Sequence, residues 1–339
     1  MNSLVNRQWR LASRPSGQVS EENFRFVEEA VVGPSAGEAL VRVKFVAFEP
    51  AMRGWLDDVK SYAPPVQIDE VMRASGVGEV IESNIDGVAV GDWVLGNFGW
   101  QEYVIVSAET HARTPLRRVP DGVAPQLMLS ALGTTGLTAY FGMLEIGKPT
   151  AGDHVLITGA AGATGSIAGQ IAKLKGAEKV IGIAGGPEKC SVLVEQLGFD
   201  VAIDYKSERV RRRLREECPN GVNVFFDNVG GQLLDDGLIN MARNGRIVIC
   251  GGISSYNDES VPPGPKYYMQ LVARHLTMEG FLLFDYADKN EQALKDLGEW
   301  VQQGKIVHLE DIQSKIENAP KTFLRLFEGK NVGKQLLEI

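Results

Sequence analysis

The sequence predicts an α/β protein in which a doubly wound parallel sheet domain is joined to a second, β-rich domain. Three observations carry this reading. The chain has 339 residues, enough for two domains. Up to about residue 128, short apolar alternations are separated by Gly, Pro, Asn and Asp; from about 129 to 304, strand-like and helix-like runs alternate. Within that second region Val155-Leu156-Ile157-Thr158 leads into the turn Gly159-Ala160-Ala161-Gly162-Ala163-Thr164-Gly165 and then a breaker-free helical run from Ser166 to Lys175.

In the first region, strands are expected over 23–28, 38–47, 74–82, 92–96 and 101–106. Gly76 and Gly78, inside the third of these, mark a bulge or a close approach of backbones. Residues 57–65 contain Pro64-Pro65 and read as a loop. In the second region, strands over 155–158, 180–184, 201–204, 222–227, 246–250 and 276–283 alternate with helices over 166–175, 187–197, 208–217, 231–242 and 267–274. A further helix is expected near 291–303. The tail, 306–339, reads strand, helix, strand. It cannot extend six strands neatly, so it is expected to return to the first domain. The expected organisation is therefore 1–128, 129–304 and 305–339.

Composition excludes several classes. Apolar residues make up 44% and charged residues 23%, and no run of about 18 apolar residues exists, so no membrane span is expected. The net charge of −8 argues against a nucleic-acid partner. The basic run 209–215 has Val210 and Leu214 four apart and is flanked by Glu208, Glu216 and Glu217; it reads as a solvated helix with an apolar stripe. Cys190, Cys218 and Cys250 have no close spacing, which fits a reducing, cytoplasmic compartment. Residues 1–17 hold three arginines and no apolar segment of the signal-peptide kind. The histidines at 111, 154, 275 and 308 are scattered, none at a ligand spacing, so no metal site is expected.

The glycine turn lets a phosphate approach backbone N–H groups at a helix start. It reads Ala160-x-Gly162-x-x-Gly165, short of the first glycine of the full fingerprint, but its flanks supply the context the motif requires. The next strand ends in Gly185-Gly186-Pro187-Glu188-Lys189. An NAD site usually places an acid there for the ribose 2′-OH; glycines and a lysine suit a 2′-phosphate, so NADP(H) is favoured over NAD.

Further motifs carry a resemblance. They include Asn6-Arg7-Gln8-Trp9, Gly136-Leu137-Thr138-Ala139-Tyr140, Phe226-Asp227-Asn228-Val229-Gly230-Gly231, Ile253-Ser254-Ser255-Tyr256-Asn257 and Gly329-Lys330-Asn331-Val332-Gly333-Lys334. On these, nearly the whole chain resembles the NADPH-dependent double-bond reductases, a zinc-independent branch of the medium-chain dehydrogenase/reductase superfamily. The resemblance implies a GroES-like β-domain, a Rossmann domain and a C-terminal return to the first. It also implies a homodimer and a small electrophilic substrate. Zinc relatives carry Gly-His-Glu where this chain reads Arg73-Ala74-Ser75-Gly76-Val77-Gly78.

The resemblance assigns residues as well. Gly162, Ala163, Thr164 and Gly165 would cradle the pyrophosphate, and Lys189 and Tyr205 would contact the 2′-phosphate. Asn228, Cys250, Ile253, Ser254 and Tyr256 would line the cofactor, Phe281, Leu282 and Leu283 would meet the nicotinamide carboxamide, and Asn331 would reach the cofactor from the tail. Hydride goes to the β-carbon of an α,β-unsaturated ketone or aldehyde, and a proton to the α-carbon. The protein must position the two and offer a donor to the carbonyl oxygen as charge develops there. Tyr256 is the candidate donor or relay, a phenol that keeps its proton at neutral pH; positioning of cofactor alone is the other reading. Ala51, Met52, Arg53 and Tyr62 are candidate pocket residues. The family often has a tyrosine where Ala51 stands, and its loss removes a ring and a hydroxyl. A quinone oxidoreductase and a non-catalytic NADPH-binding redox sensor are the alternatives.

Overall fold

The computed structural model describes residues 4–113 and 115–339. It forms two compact units: Met1–Leu129 with Asp311–Asn331 and Gln335–Ile339, and Ser130–Glu310 with Val332–Lys334. The first unit begins with an antiparallel ribbon of β1 (Val5–Leu11) and β2 (Phe24–Ala30). β1 was not expected from the sequence. Its buried residues are Gln8 and Leu11, three apart and one of them polar, so the two-residue strand period is hidden.

β3 (Glu38–Ala47), β4 (Ser75–Ser83), β5 (Trp93–Asn97), β6 (Tyr103–Ser107) and the short β7 (Arg117–Arg118) then build an antiparallel sheet around β3. The close approach expected at the β4 glycines is present. A Cβ on Gly78 would collide with the Arg42 carbonyl oxygen, and the β3–β4 register shifts between Val43 and Phe45. Trp100 is fully buried and centres an aromatic cluster, with Phe24 and Phe48 at ring distances of 5.1 Å and Phe323 at 5.6 Å.

The second unit holds a six-stranded parallel sheet. After helix α1 (Ala108–Arg113) of the first unit comes α2 (Thr134–Phe141), which widens into a π-wound turn over Gly142–Gly147. There follow β8 (His154–Thr158), α3 (Ala163–Leu174), β9 (Lys179–Ala184), α4 (Pro187–Glu195), β10 (Val201–Asp204) and α5 (Val210–Glu217). Then come β11 (Val222–Asp227), α6 (Gly231–Leu238), β12 (Met241–Ile249), α7 (Gln270–Ala273), β13 (Thr277–Gly280) and α8 (Asn290–Gln302). The sheet order is β10-β9-β8-β11-β12-β13, so the winding reverses between β8 and β11. This is the Rossmann order.

Three expectations are corrected. The helix expected over 231–242 stops at Leu238, because Met241 already pairs with Val222 and Asn244 (φ 60°) and Gly245 bulge the start of β12. The helix expected over 267–274 is four residues long. The strand expected over 276–283 ends at Gly280, since β12, its partner among the described residues, ends at Ile249 and offers no further ladder groups.

The tail supplies β14 (Glu310–Ser314), α9 (Ala319–Leu324) and β15 (Lys334–Glu338). β15 pairs with β3, and Ala319 and Phe323 of α9 lie in the first unit's core. Among the described residues no helix is long and apolar enough to cross a membrane.

Candidate active site

The carboxyl ends of β8 and β11 meet where the winding reverses, the place where open α/β sheets bind ligands. The turn after β8 starts with Gly159 in the left-handed region (φ 58°), and Gly162 N–H donates to Gly159 O at 2.9 Å. Gly162 caps α3 without a side chain, so Ala163, Thr164 and Gly165 present a helix start whose first N–H groups lack intrahelical partners. A Cβ on Gly165 would stand 2.5 Å from Gly159 O and 2.9 Å from Ala160 Cα. The turn is thus a backbone cradle closed to side chains, and it fits a dinucleotide pyrophosphate.

A buried pair that the sequence reading did not single out holds the next two loops. Thr158 Oγ1 donates to Asp227 Oδ1 at 2.5 Å and accepts the Asn228 N–H at 2.9 Å. Val229 and Gly230 N–H also donate to the Asp227 carboxylate, at 3.1 and 3.0 Å. Burial pushes the Asp227 carboxyl above the usual carboxylate range, and the Thr158, Val229 and Gly230 hydrogen bonds act against that rise. Asp227 O in turn accepts the N–H of Cys250 and of Gly251. The only sequence signal for this hub was a carboxylate closing an apolar strand.

The segment after β12 docks on the Asn228 loop. Ile253 N–H donates to Asn228 O at 3.4 Å, and Ser254 N–H and Oγ donate to Val229 O at 3.1 and 2.7 Å. Gly252 N–H donates to Tyr256 Oη at 3.2 Å. Asn228, Cys250, Ile253, Ser254 and Tyr256 are therefore brought together. Burial, with the Asp227 charge adding to it, pushes the Cys250 thiol up to about 12.

A second cluster stands at the ends of β9 and β10. Asp204, which the sequence reading passed over as a strand end, accepts the Gly186 N–H (2.8 Å), the Lys206 N–H (3.0 Å) and the Ser207 hydroxyl (2.8 Å). The Gly186 N–H foremost holds its carboxyl below the usual range. Tyr205 is exposed, and Lys189 lies half-buried in α4.

The remaining candidates are less gathered. Phe281 packs on the π-wound turn after α2: a Cβ on Gly142 would stand 2.8 Å from its ring. Leu282 is exposed and Leu283 opens a 3-10 turn, not a buried strand. Asn331 is half-buried, two residues before Gly333, whose N–H donates to Ala161 O at 2.7 Å. In the first unit, Ala51, Met52 and Arg53 share the 3-10 segment Pro50–Leu56. Met52 is in the core, and Arg53 is buried with its guanidinium on Asp57 (2.8 Å) and Gly17 O (2.9 Å). Both therefore serve the interior of that unit in this structure, where the sequence reading had them on a pocket wall. Tyr62 is exposed in a shallow concavity formed by residues 58–65.

Residues 7–114 match the family described as N-terminal domain of oxidoreductase, and residues 163–300 the family described as zinc-binding dehydrogenase. The chain is 40% identical to the NADPH-dependent curcumin reductase of Escherichia coli (strain K12), covering 98% of this chain and 97% of that one. The chain belongs to the zinc-independent double-bond reductase branch of the medium-chain dehydrogenase/reductase superfamily. This reductase is also 35% identical to prostaglandin reductase 1 of Bos taurus, with 98% of each chain covered. Its fold matches the crystal structure of CurA from Vibrio vulnificus in complex with NADPH, at a TM-score of 0.91 and 41% identity over 98% of each chain. It is an oxidoreductase. Among the described residues no group of three or more His, Cys, Asp or Glu could hold a metal ion.

Proposed function

We propose that this reductase uses NADP(H) to reduce the C=C bond of α,β-unsaturated ketones and aldehydes, with hydride added to the β-carbon and a proton to the α-carbon. The observation that carries the reading is the build of the nucleotide end of the sheet. An uncapped helix start lies under a turn of glycines and alanines, and the turn after β9 is a glycine pair beside Tyr205 and Lys189. The acid that meets this turn, Asp204, already accepts three hydrogen bonds from its own turns, so it is committed to the protein and not to a ribose hydroxyl. Similarity to reductases named for NADPH supports the same cofactor.

When bound, the cofactor supplies the hydride. The chain does the rest. The N–H groups of Ala163, Thr164 and Gly165 receive the pyrophosphate, and Lys189 and Tyr205 receive the 2′-phosphate. Asn228, Cys250, Ile253, Ser254, the backbone of Phe281, Leu282 and Leu283, and Asn331 orient the nicotinamide half. Tyr256 donates to the carbonyl oxygen as charge develops on it. The Gly252 N–H on its oxygen polarises the phenol and strengthens it as a donor. As part of the same reading the enzyme is a cytoplasmic homodimer, which sedimentation equilibrium tests by mass.

A panel of enones, enals and quinones, followed by NADPH absorbance, tests the substrate class. Consumption with enones and enals is expected. Turnover of quinones alone favours the quinone oxidoreductase reading, and tight NADPH binding without any turnover favours the redox-sensor reading.

A further inference from the structure

Lys206 is held by its backbone at the nucleotide turn. Its N–H donates to Asp204 Oδ1, the same oxygen that accepts the Gly186 N–H. One carboxylate oxygen therefore ties the turn after β9 to the turn after β10. The side chain follows the backbone. A Cβ built on Gly185 would stand 3.0 Å from Lys206 Cε, 2.9 Å from Tyr205 Cε1 and 3.0 Å from Tyr205 Oη. The lysine stem and the tyrosine ring thus lie over Gly185 together, in space that a side chain at that position would contest. Asp204 sits here as an ionised group, and the Lys206 charge is among the causes that keep it so. A 2′-phosphate brings further negative charge to the same turn. A lysine held at this turn adds positive charge where that negative charge gathers.

We infer that Lys206 is a second cation of the 2′-phosphate subsite, reaching the phosphate across Gly185 while Asp204 fixes its backbone. The inference rests on the NADP(H) reading. Its test is calorimetric titration of the intact protein with 2′,5′-ADP and with 5′-AMP, which requires neither substrate nor turnover. Lys206→Ala is expected to weaken 2′,5′-ADP binding about tenfold, the loss of one charge-assisted contact. It leaves 5′-AMP binding unchanged, and Lys206→Arg restores most of the loss. Unchanged 2′,5′-ADP binding in Lys206→Ala overturns the inference, as does an equal loss for both nucleotides, which marks a merely structural role. A wild-type protein that binds both nucleotides equally overturns the NADP(H) reading itself.

Discussion

Thr158→Val isolates the buried pair that joins β8 to β11. Thr158 and Asp227 are both fully buried, so no solvent replaces a lost partner. Valine keeps the shape and the β-branch that suit a strand, which removes packing as a variable. What is lost is the donor to Asp227 Oδ1 at 2.5 Å and the acceptor of the Asn228 N–H at 2.9 Å. The Asp227 carboxylate keeps the Val229 and Gly230 N–H groups, so the variant loses one charge-assisted hydrogen bond and the partner of the Asn228 N–H, together about 2–3 kcal/mol. The loss depends on pH. The folded Asp227 carboxyl already titrates above its unfolded value of 3.8 because of burial, and the Thr158 hydroxyl acts against that rise. Without the hydroxyl the folded value climbs further. Between the unfolded and folded values the native state holds the extra proton, so stability falls as pH rises through that window. The variant's deficit is therefore smallest just above the usual carboxylate range and grows toward neutral pH. Urea unfolding at the two ends of that window measures it. A deficit below about 0.5 kcal/mol at neutral pH, or one equal at both ends, refutes the reasoning.

Three further outcomes follow. In Gly165→Ala the new Cβ meets backbone atoms of Gly159 and Ala160 that cannot swing aside, so the start of α3 shifts and NADPH affinity falls at least about tenfold; fluorescence titration checks it, and unchanged affinity contradicts the cradle. With thiols pushed up to about 12 and about 11, Cys250 and Cys218 carry on the order of one thiolate in a thousand or fewer at pH 8. Iodoacetamide should spare both in the native protein and modify them after unfolding, as mass spectrometry reads; rapid native labelling of Cys250 contradicts its raised thiol. Tyr256→Phe should lower kcat at saturating NADPH about 100-fold if the phenol is the donor. An unchanged kcat leaves Tyr256 as a positioning residue only.

The alternation of strands and helices after residue 129 was legible because each apolar run is short and bounded by glycine or acidic turns. The glycine turn was legible because its chemistry is local: Gly162 and Gly165 serve the backbone within a few residues of themselves. The remainder acts across the fold. Thr158 and Asp227 are 69 positions apart and meet only once β8 and β11 are neighbours. Asp204 looked like the end of a strand, and its work is on Gly186, 18 positions away. β1 was hidden by a buried Gln8, whose amide donates to Glu29 on the paired strand. The apolar run at Phe281–Leu283 misled for the opposite reason, since a strand also requires a partner and β12 has ended.

Isotope transfer tests the central claim most directly. With NADPH deuterated at the transferring position of C4 and a simple enone as substrate, the account predicts deuterium on the β-carbon of a saturated ketone, located by NMR. Deuterium on a carbinol carbon, or a product without deuterium, would contradict it.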